Sequence, residues 1–176
     1  MTDNPYLSGN FAPVEEEVTS LGLSVTGQIP NDLRGRLLRI GPNPIEADPA
    51  SHHWFLGTGM VHGLRLRDGR AEWYRNRYVR DDDVVRIRGG KPVAGPKPFL
   101  GSGVANTNVI RHAGRIFAII EAGNSPVELT DELETVCRSD FDGTLPAGFT
   151  AHPKRDPDTG ELHAAVYSPN WKHIQY

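Results

Sequence analysis

Residues 60–78 read MVHGLRLRDGRAEWYRNRY, which has the pattern of two strands joined by a tight turn. Apolar and charged residues alternate from Leu64 to Arg67, as expected for a strand with one buried face. Asp68-Gly69 follows, and this dipeptide is the strongest short-range signal for a two-residue hairpin turn. Residues 70–78 return as the second strand. The stretch therefore predicts a β-hairpin.

Two later stretches repeat this arrangement. Gly114 leads into the apolar run 115–121, which predicts a strand buried on both faces, and Gly160 leads into the run 161–167. Together with Gly69, these glycines are 45 and 46 residues apart. A period of about 40 to 50 residues is typical of propeller blades. The spacing predicts an all-β fold, a β-propeller; three unrelated hairpins of another all-β domain are the alternative.

The number of hairpins limits how much of a propeller is present. Propellers typically close with four to eight blades, because closure removes exposed strand edges. About three blades are present here, and residues 173–176 resemble the middle of a strand. We therefore expect residues 1–176 to be the N-terminal part of a single propeller domain, with the C-terminal remainder absent.

Composition excludes several classes of protein. The 176 residues carry a net charge of -3 without a basic run, which argues against a nucleic-acid partner. The sequence has no C-x-x-C or H-E-x-x-H zinc signature, and no apolar run approaches the ~18 residues of a membrane span. Cys137 is the only cysteine and the N-terminus does not read as a signal peptide, so we expect a reducing, cytoplasmic location.

His152 is the strongest local candidate for a metal ligand. It lies between Ala151 and Pro153, ahead of a predicted turn and strand. Proline confines the preceding residue to extended geometry and itself donates no backbone hydrogen bond. The backbone therefore aims the imidazole, which suits a metal ligand; a purely structural histidine is the alternative.

Two further acidic features are candidates. Glu121 ends the strand of residues 115–121, on the hairpin before His152. A buried carboxylate needs a partner, and a histidine N–H is the natural one, as in carboxylate–histidine–metal arrangements; a strand-end residue facing water is the alternative. Asp81-Asp82-Asp83 would alternate faces in a strand, so we expect a solvated turn there rather than a metal cluster.

Nine short motifs occur in the order seen in carotenoid cleavage oxygenases, and this resemblance extends from about Asn4 to Tyr176. Any one motif is weak, but nine in order are highly specific. The motifs are Asn10-Phe11-Ala12-Pro13, Gly27-x-Ile-Pro, Gly41-Pro42-Asn43-Pro44, His53-Trp54-Phe55, Gly59-Met60-Val61-His62-Gly63, Asn106-Thr107-Asn108-Val109, Leu133-Glu134-Thr135, Asp140-Phe141-Asp142-Gly143 and Thr150-Ala151-His152-Pro153.

The resemblance implies a seven-bladed propeller with a non-haem Fe(II) on its axis. In that family four histidines hold the iron, which activates O₂ to cleave a conjugated C=C bond into two carbonyls. The resemblance assigns the first ligand to His152, and to Glu121 a carboxylate that orients an iron histidine. The other three ligands lie beyond position 176 in relatives, and the other six histidines here do not fall on ligand motifs. The implied partners are an apolar polyene and O₂, with peripheral membrane contact of the complete protein.

Two positions depart from the family pattern. Thr58 replaces the aspartate that usually follows Gly57, and Ile120 stands where stilbene-cleaving relatives have a lysine that grips the substrate phenol. Ile120 therefore favours a carotenoid or apocarotenoid substrate. The resemblance implies a carotenoid cleavage dioxygenase; a stilbene-cleaving member and a truncated, catalytically inactive fragment are the alternatives.

Overall fold

The computed structural model describes residues 4–145, 147–168 and 170–176. The regular elements are mainly antiparallel strands, with two 3-10 turns near the N-terminus at Pro5–Leu7 and Gly9–Phe11. None of the helices in this part of the chain has the length and apolar character required to cross a membrane.

The predicted hairpin at residues 60–78 forms the centre of the first sheet. Asp68 and Gly69 have φ values of 50° and 70°, and positive φ at both positions fits the twist of the strands that they join. The prediction is confirmed. The strands of this sheet are β1 (Thr19–Leu21), β2 (Gly35–Pro42), β3 (Gly59–Arg67) and β4 (Arg70–Tyr78). Their order across the sheet is β1-β4-β3-β2, and every neighbouring pair is antiparallel.

A helix, α1 (Asp82–Arg88), follows the first sheet and precedes the second. The second predicted hairpin is also confirmed, with Ala113 and Gly114 at φ values of 47° and 80°. Its second strand ends at Ile119, so Glu121 lies two residues beyond the strand that it was predicted to end. The strands of the second sheet are β5 (Asn108–His112), β6 (Arg115–Ile119), β7 (Val127–Leu129) and β8 (Thr135–Arg138), and they lie side by side in chain order.

The third hairpin is shorter than the sequence predicts. It pairs β9 (Lys154–Arg155) with β10 (Leu162–His163), so the expected strand over residues 161–167 is wrong beyond its first part. The register explains why pairing stops. The next residue pair would set Ala164 opposite Pro153, and proline has no N–H to donate.

Strand β6 lies between two apolar layers, which confirms that it is buried on both faces. Ile116 and Ala118 pack towards the first sheet, while Phe117 and Ile119 pack towards the segment that leads to His152. The first layer also contains Val61, Trp73, Val127 and Leu133, and the second contains Phe141, Phe149 and Leu162.

Leu133 anchors the second sheet to the first. It lies in the turn between β7 and β8 and is fully buried. A Cβ at Gly63 of β3 would lie only 2.8 Å from Leu133 Cδ1, so the glycine provides the space that the leucine fills. Ion pairs join the same turn to the first sheet: Arg36–Asp131 at 3.1 Å, Arg75–Glu132 at 2.7 Å and Arg77–Glu134 at 2.7 Å.

Asp81 does not lie in the solvated turn that the sequence predicts. It is fully buried and caps α1, because its Oδ1 accepts a hydrogen bond from the Val84 N–H at 2.8 Å. The loop after α1 folds back over this end, where the Asp82 N–H donates to the Ser102 carbonyl at 2.9 Å. Burial raises the pKa of the Asp81 carboxyl from 3.8 to about 6, and its Oδ2 has no hydrogen-bond partner among the described residues.

Candidate functional site

His152 has a restrained backbone and an exposed side chain. It follows the fully buried Ala151 and lies two residues before β9. Its side chain is 67% exposed, so the imidazole extends from a buried segment into open space. Pro153 confines its backbone to extended geometry. This arrangement leaves the ring nitrogens accessible.

Glu121 lies beside His152 but contacts the main chain. Its Oε2 accepts a hydrogen bond from the Ala151 N–H at 2.9 Å, and the Thr150 hydroxyl lies 3.4 Å from each carboxylate oxygen. The distance from Glu121 Oε2 to His152 Nε2 is 3.8 Å, which is too long for a hydrogen bond. The structure therefore brings the two predicted site residues together. The hydrogen-bond donor to Glu121 is the backbone N–H of Ala151, not the His152 ring.

An apolar cleft of about 500 Å³ opens beside Glu121. We call it the Glu121 cleft, and its lining includes Ile40, Pro42, Trp54, Phe55, Ile120 and Glu121. Trp54 and Phe55 are 46% and 67% exposed, which is high for large aromatic side chains. Sequence reasoning missed this cleft. The available signal was the run Trp54-Phe55-Leu56, three large apolar side chains in a loop.

Buried polar contacts hold the loop that carries Phe55. Asn106 Nδ2 donates to the carbonyls of Gly57 at 2.8 Å and Phe55 at 3.3 Å. Thr58 occupies the motif position that usually has an aspartate, and its hydroxyl donates a hydrogen bond to the Asn43 carbonyl at 2.7 Å. An ionised carboxylate at position 58 would have no proton to donate there. Thr58 thus provides an uncharged hydrogen-bond donor that stabilises the loop.

Other histidines take part in separate local contacts. His62 Nδ1 lies 2.8 Å from the Tyr74 hydroxyl, and burial, with a smaller contribution from the positive charge of Arg39, lowers the pKa of His62. His163 Nδ1 lies 2.7 Å from the Tyr176 hydroxyl. Within the described ranges, no group of three or more His, Cys, Asp or Glu side chains lies close enough together to hold a metal ion.

His152 and Glu121 fit part of an iron site. Imidazole is a suitable ligand for iron, and a nearby carboxylate orients such ligands and balances charge. A protein metal site usually draws on three or four side chains, however. The described residues supply one candidate ligand with its support, and a complete iron centre needs further ligands.

Comparison with known proteins identifies the family of this chain. The profile described as retinal pigment epithelial membrane protein matches residues 11–176. A carotenoid cleavage oxygenase of Mycobacterium tuberculosis is 58% identical over 170 residues, which cover 95% of this chain and 34% of that protein. The chain thus spans about a third of the length of the curated relatives that it matches.

Solved structures support the same assignment. A lignostilbene dioxygenase of Pseudomonas brassicacearum superposes with a TM-score of 0.77 at 32% identity, over 93% of this chain and 36% of that one. Cobalt-substituted apocarotenoid oxygenase of Synechocystis gives a TM-score of 0.68 at 30% identity, over 87% of this chain and 36% of that one. These matches confirm the predicted all-β propeller, of which the two four-stranded sheets are blades and β9–β10 begins a third. The chain belongs to the carotenoid cleavage oxygenase family, the family of the retinal pigment epithelial membrane protein.

Proposed function

We propose that the protein containing this chain is a dioxygenase that cleaves a conjugated C=C bond of a carotenoid or apocarotenoid. The double bond breaks and each of its carbons gains one oxygen atom, so one polyene and one O₂ give two carbonyl products. The observation that carries this proposal is the exposed His152 imidazole 3.8 Å from Glu121, a residue that lines an apolar cleft.

The lining of the Glu121 cleft suits a polyene. Ile40, Trp54, Phe55 and Ile120 present apolar surface, and burying apolar surface is favourable by about 25 cal/mol per Å². A volume of about 500 Å³ lies within the range of small-molecule sites, so the cleft can hold part of a long polyene. Contacts to the rest of such a substrate would come from further blades.

His152 would be one ligand of a non-haem Fe(II), which fits the imidazole and carboxylate described above. Iron bound there would activate O₂, which reacts slowly with a polyene on its own. The residues of this chain provide the support: Glu121 holds the Ala151 N–H, and Pro153 restricts the backbone on the other side of His152. The Glu121 carboxylate, 3.8 Å from the ring, would also offset part of the metal charge.

Stilbene cleavage is the second candidate, because the matched structures include a lignostilbene dioxygenase. A phenolic stilbene needs a polar partner for its hydroxyl in the cleft, since an unpaired buried hydroxyl costs roughly 1–3 kcal/mol. Ile120, next to Glu121, offers neither a donor nor a charge. This side chain therefore favours the polyene.

A chimera tests the proposal. Residues 1–176 are joined to the remaining two thirds of the Mycobacterium tuberculosis relative, and the purified chimera is incubated with β-apo-8′-carotenal or with resveratrol under air. We expect the apocarotenal to be split into two carbonyl products, identified by mass spectrometry, and resveratrol to be cleaved much more slowly. The proposal would be contradicted if a folded chimera cleaved only resveratrol, or if it cleaved neither substrate. The unmodified relative is the control.

A further inference from the structure

We infer that Asn108 is a positioning residue for His152, an inference that rests on the proposed role of His152 as a metal ligand. Asn108 begins β5, and its Nδ2 donates a hydrogen bond to the Ala151 carbonyl at 2.9 Å. This carbonyl belongs to the peptide bond that joins Ala151 to His152. Asn108 therefore holds the backbone on which the imidazole is mounted.

Asn108 and Glu121 both form hydrogen bonds with the main chain of Ala151. Glu121 accepts from the N–H of Ala151 and Asn108 donates to its carbonyl, so both peptide groups that flank Ala151 are held. Both residues are set by the β5–β6 hairpin, because Asn108 pairs with Ile119 at the end of β6 and Glu121 follows two residues later. Ala151 is fully buried, so water cannot readily replace either bond.

The chemistry at position 108 requires an amide side chain. Asn108 Oδ1 accepts from the Val109 N–H at 2.8 Å while its Nδ2 donates to Ala151. An ionised aspartate would retain the first bond but would set a carboxylate oxygen against the Ala151 carbonyl oxygen. Asparagine meets both demands with one side chain.

The backbone is thus restrained on both sides of His152. Asn108 fixes the preceding carbonyl, the His152 N–H donates to the Thr150 hydroxyl at 3.3 Å, and Pro153 restricts the following peptide. A ligand on such a backbone loses less conformational entropy when it binds a metal ion, which strengthens metal binding. Partners that orient metal ligands typically contribute about 10- to 100-fold to metal affinity.

The first arm of the test measures backbone order in the chain itself. ¹⁵N relaxation is recorded for residues 1–176 carrying Asn108→Asp or Asn108→Ala, with Asn124→Ala as the control, because Asn124 donates to the Leu100 and Val104 carbonyls instead. We expect the order parameter of the His152 N–H to fall from about 0.85 to below about 0.6 in the Asn108 variants only. An unchanged value in a folded Asn108 variant, an equal fall in Asn124→Ala, or unfolding of both Asn108 variants overturns the inference.

The second arm measures metal binding in the chimera, titrated with Co(II) and followed by its visible spectrum. We expect Asn108→Asp to weaken Co(II) binding by about 10- to 100-fold and to shift the spectrum, while Asn124→Ala changes neither. Equal affinity and spectrum in the Asn108→Asp chimera would overturn the inference and leave the proposed function standing. Absence of Co(II) binding by the unmodified chimera would overturn the proposed function, and the role of Asn108 with it.

Discussion

Replacing Leu133 by alanine removes the side chain that joins the first two blades. Leu133 is fully buried against β3, where Gly63 leaves the space for it, with Leu38 and Trp73 around the same position. Buried Leu→Ala changes cost about 3–5 kcal/mol when the surroundings cannot collapse into the cavity. Three ion pairs join the turn around Leu133 to the first sheet, so we expect the cavity to stay largely open and the free energy of unfolding to fall by about 3 kcal/mol.

The reciprocal change is Gly63→Ala. The new Cβ would lie 2.8 Å from Leu133 Cδ1 and 3.1 Å from atoms of Leu38 and Trp73, and such overpacking costs about 1–3 kcal/mol. In the Leu133→Ala background the closest of these neighbours is gone. We therefore expect Gly63→Ala to be less costly there, with a coupling of about 1–2 kcal/mol.

Urea unfolding at pH 7, followed by far-UV circular dichroism, measures all four members of this cycle. The slope of the free energy against urea concentration should stay constant, which shows that the changes act on stability. A loss below about 1 kcal/mol for Leu133→Ala, or additivity within about 0.5 kcal/mol, would refute the reasoning.

Three further predictions concern pH, substrate and metal. Because the folded-state pKa of Asp81 is about 6 against an ordinary 3.8, this carboxyl makes stability fall as pH rises from about 4 to about 6, by up to about 3 kcal/mol. Asp81→Asn keeps the cap, so urea unfolding should show it more stable than the parent at pH 7 and similar at pH 4; parallel pH profiles would contradict this. In the chimera, Ile120→Lys should raise the ratio of resveratrol to apocarotenal cleavage and Ile120→Leu should not, as kcat/KM values would show; equal ratios would remove Ile120 as a specificity determinant. Residues 1–176 alone should bind no stoichiometric iron by elemental analysis, and stoichiometric iron would show that these residues form a complete site.

Local chemistry made part of the fold predictable. Asp68, Gly69 and Gly114 are residue types that adopt positive φ readily, and both hairpins form as expected. The early end of β10 depends on Pro153 lying opposite Ala164, which is a property of register between strands. The burial of Asp81 depends on a loop distant in sequence, so its acidic neighbours gave the wrong expectation.

The candidate site was likewise predictable only in part. His152 and Glu121 were predicted from a constrained backbone, a strand end and a family resemblance, and they lie side by side. The donor to Glu121 was not predicted, because a backbone N–H carries no sequence signal. The Glu121 cleft was missed since Trp54 and Ile120 come together only when two blades pack.

The iron content of the chimera with and without His152 tests the central claim most directly. His112 at the end of β5 provides a matched control, because it is a half-buried histidine outside the site. We predict stoichiometric iron and apocarotenal cleavage for the unmodified chimera and for His112→Ala. We predict loss of both for His152→Ala, with an unchanged circular dichroism spectrum. A folded His152→Ala chimera that retains iron and cleaves the apocarotenal would contradict the account.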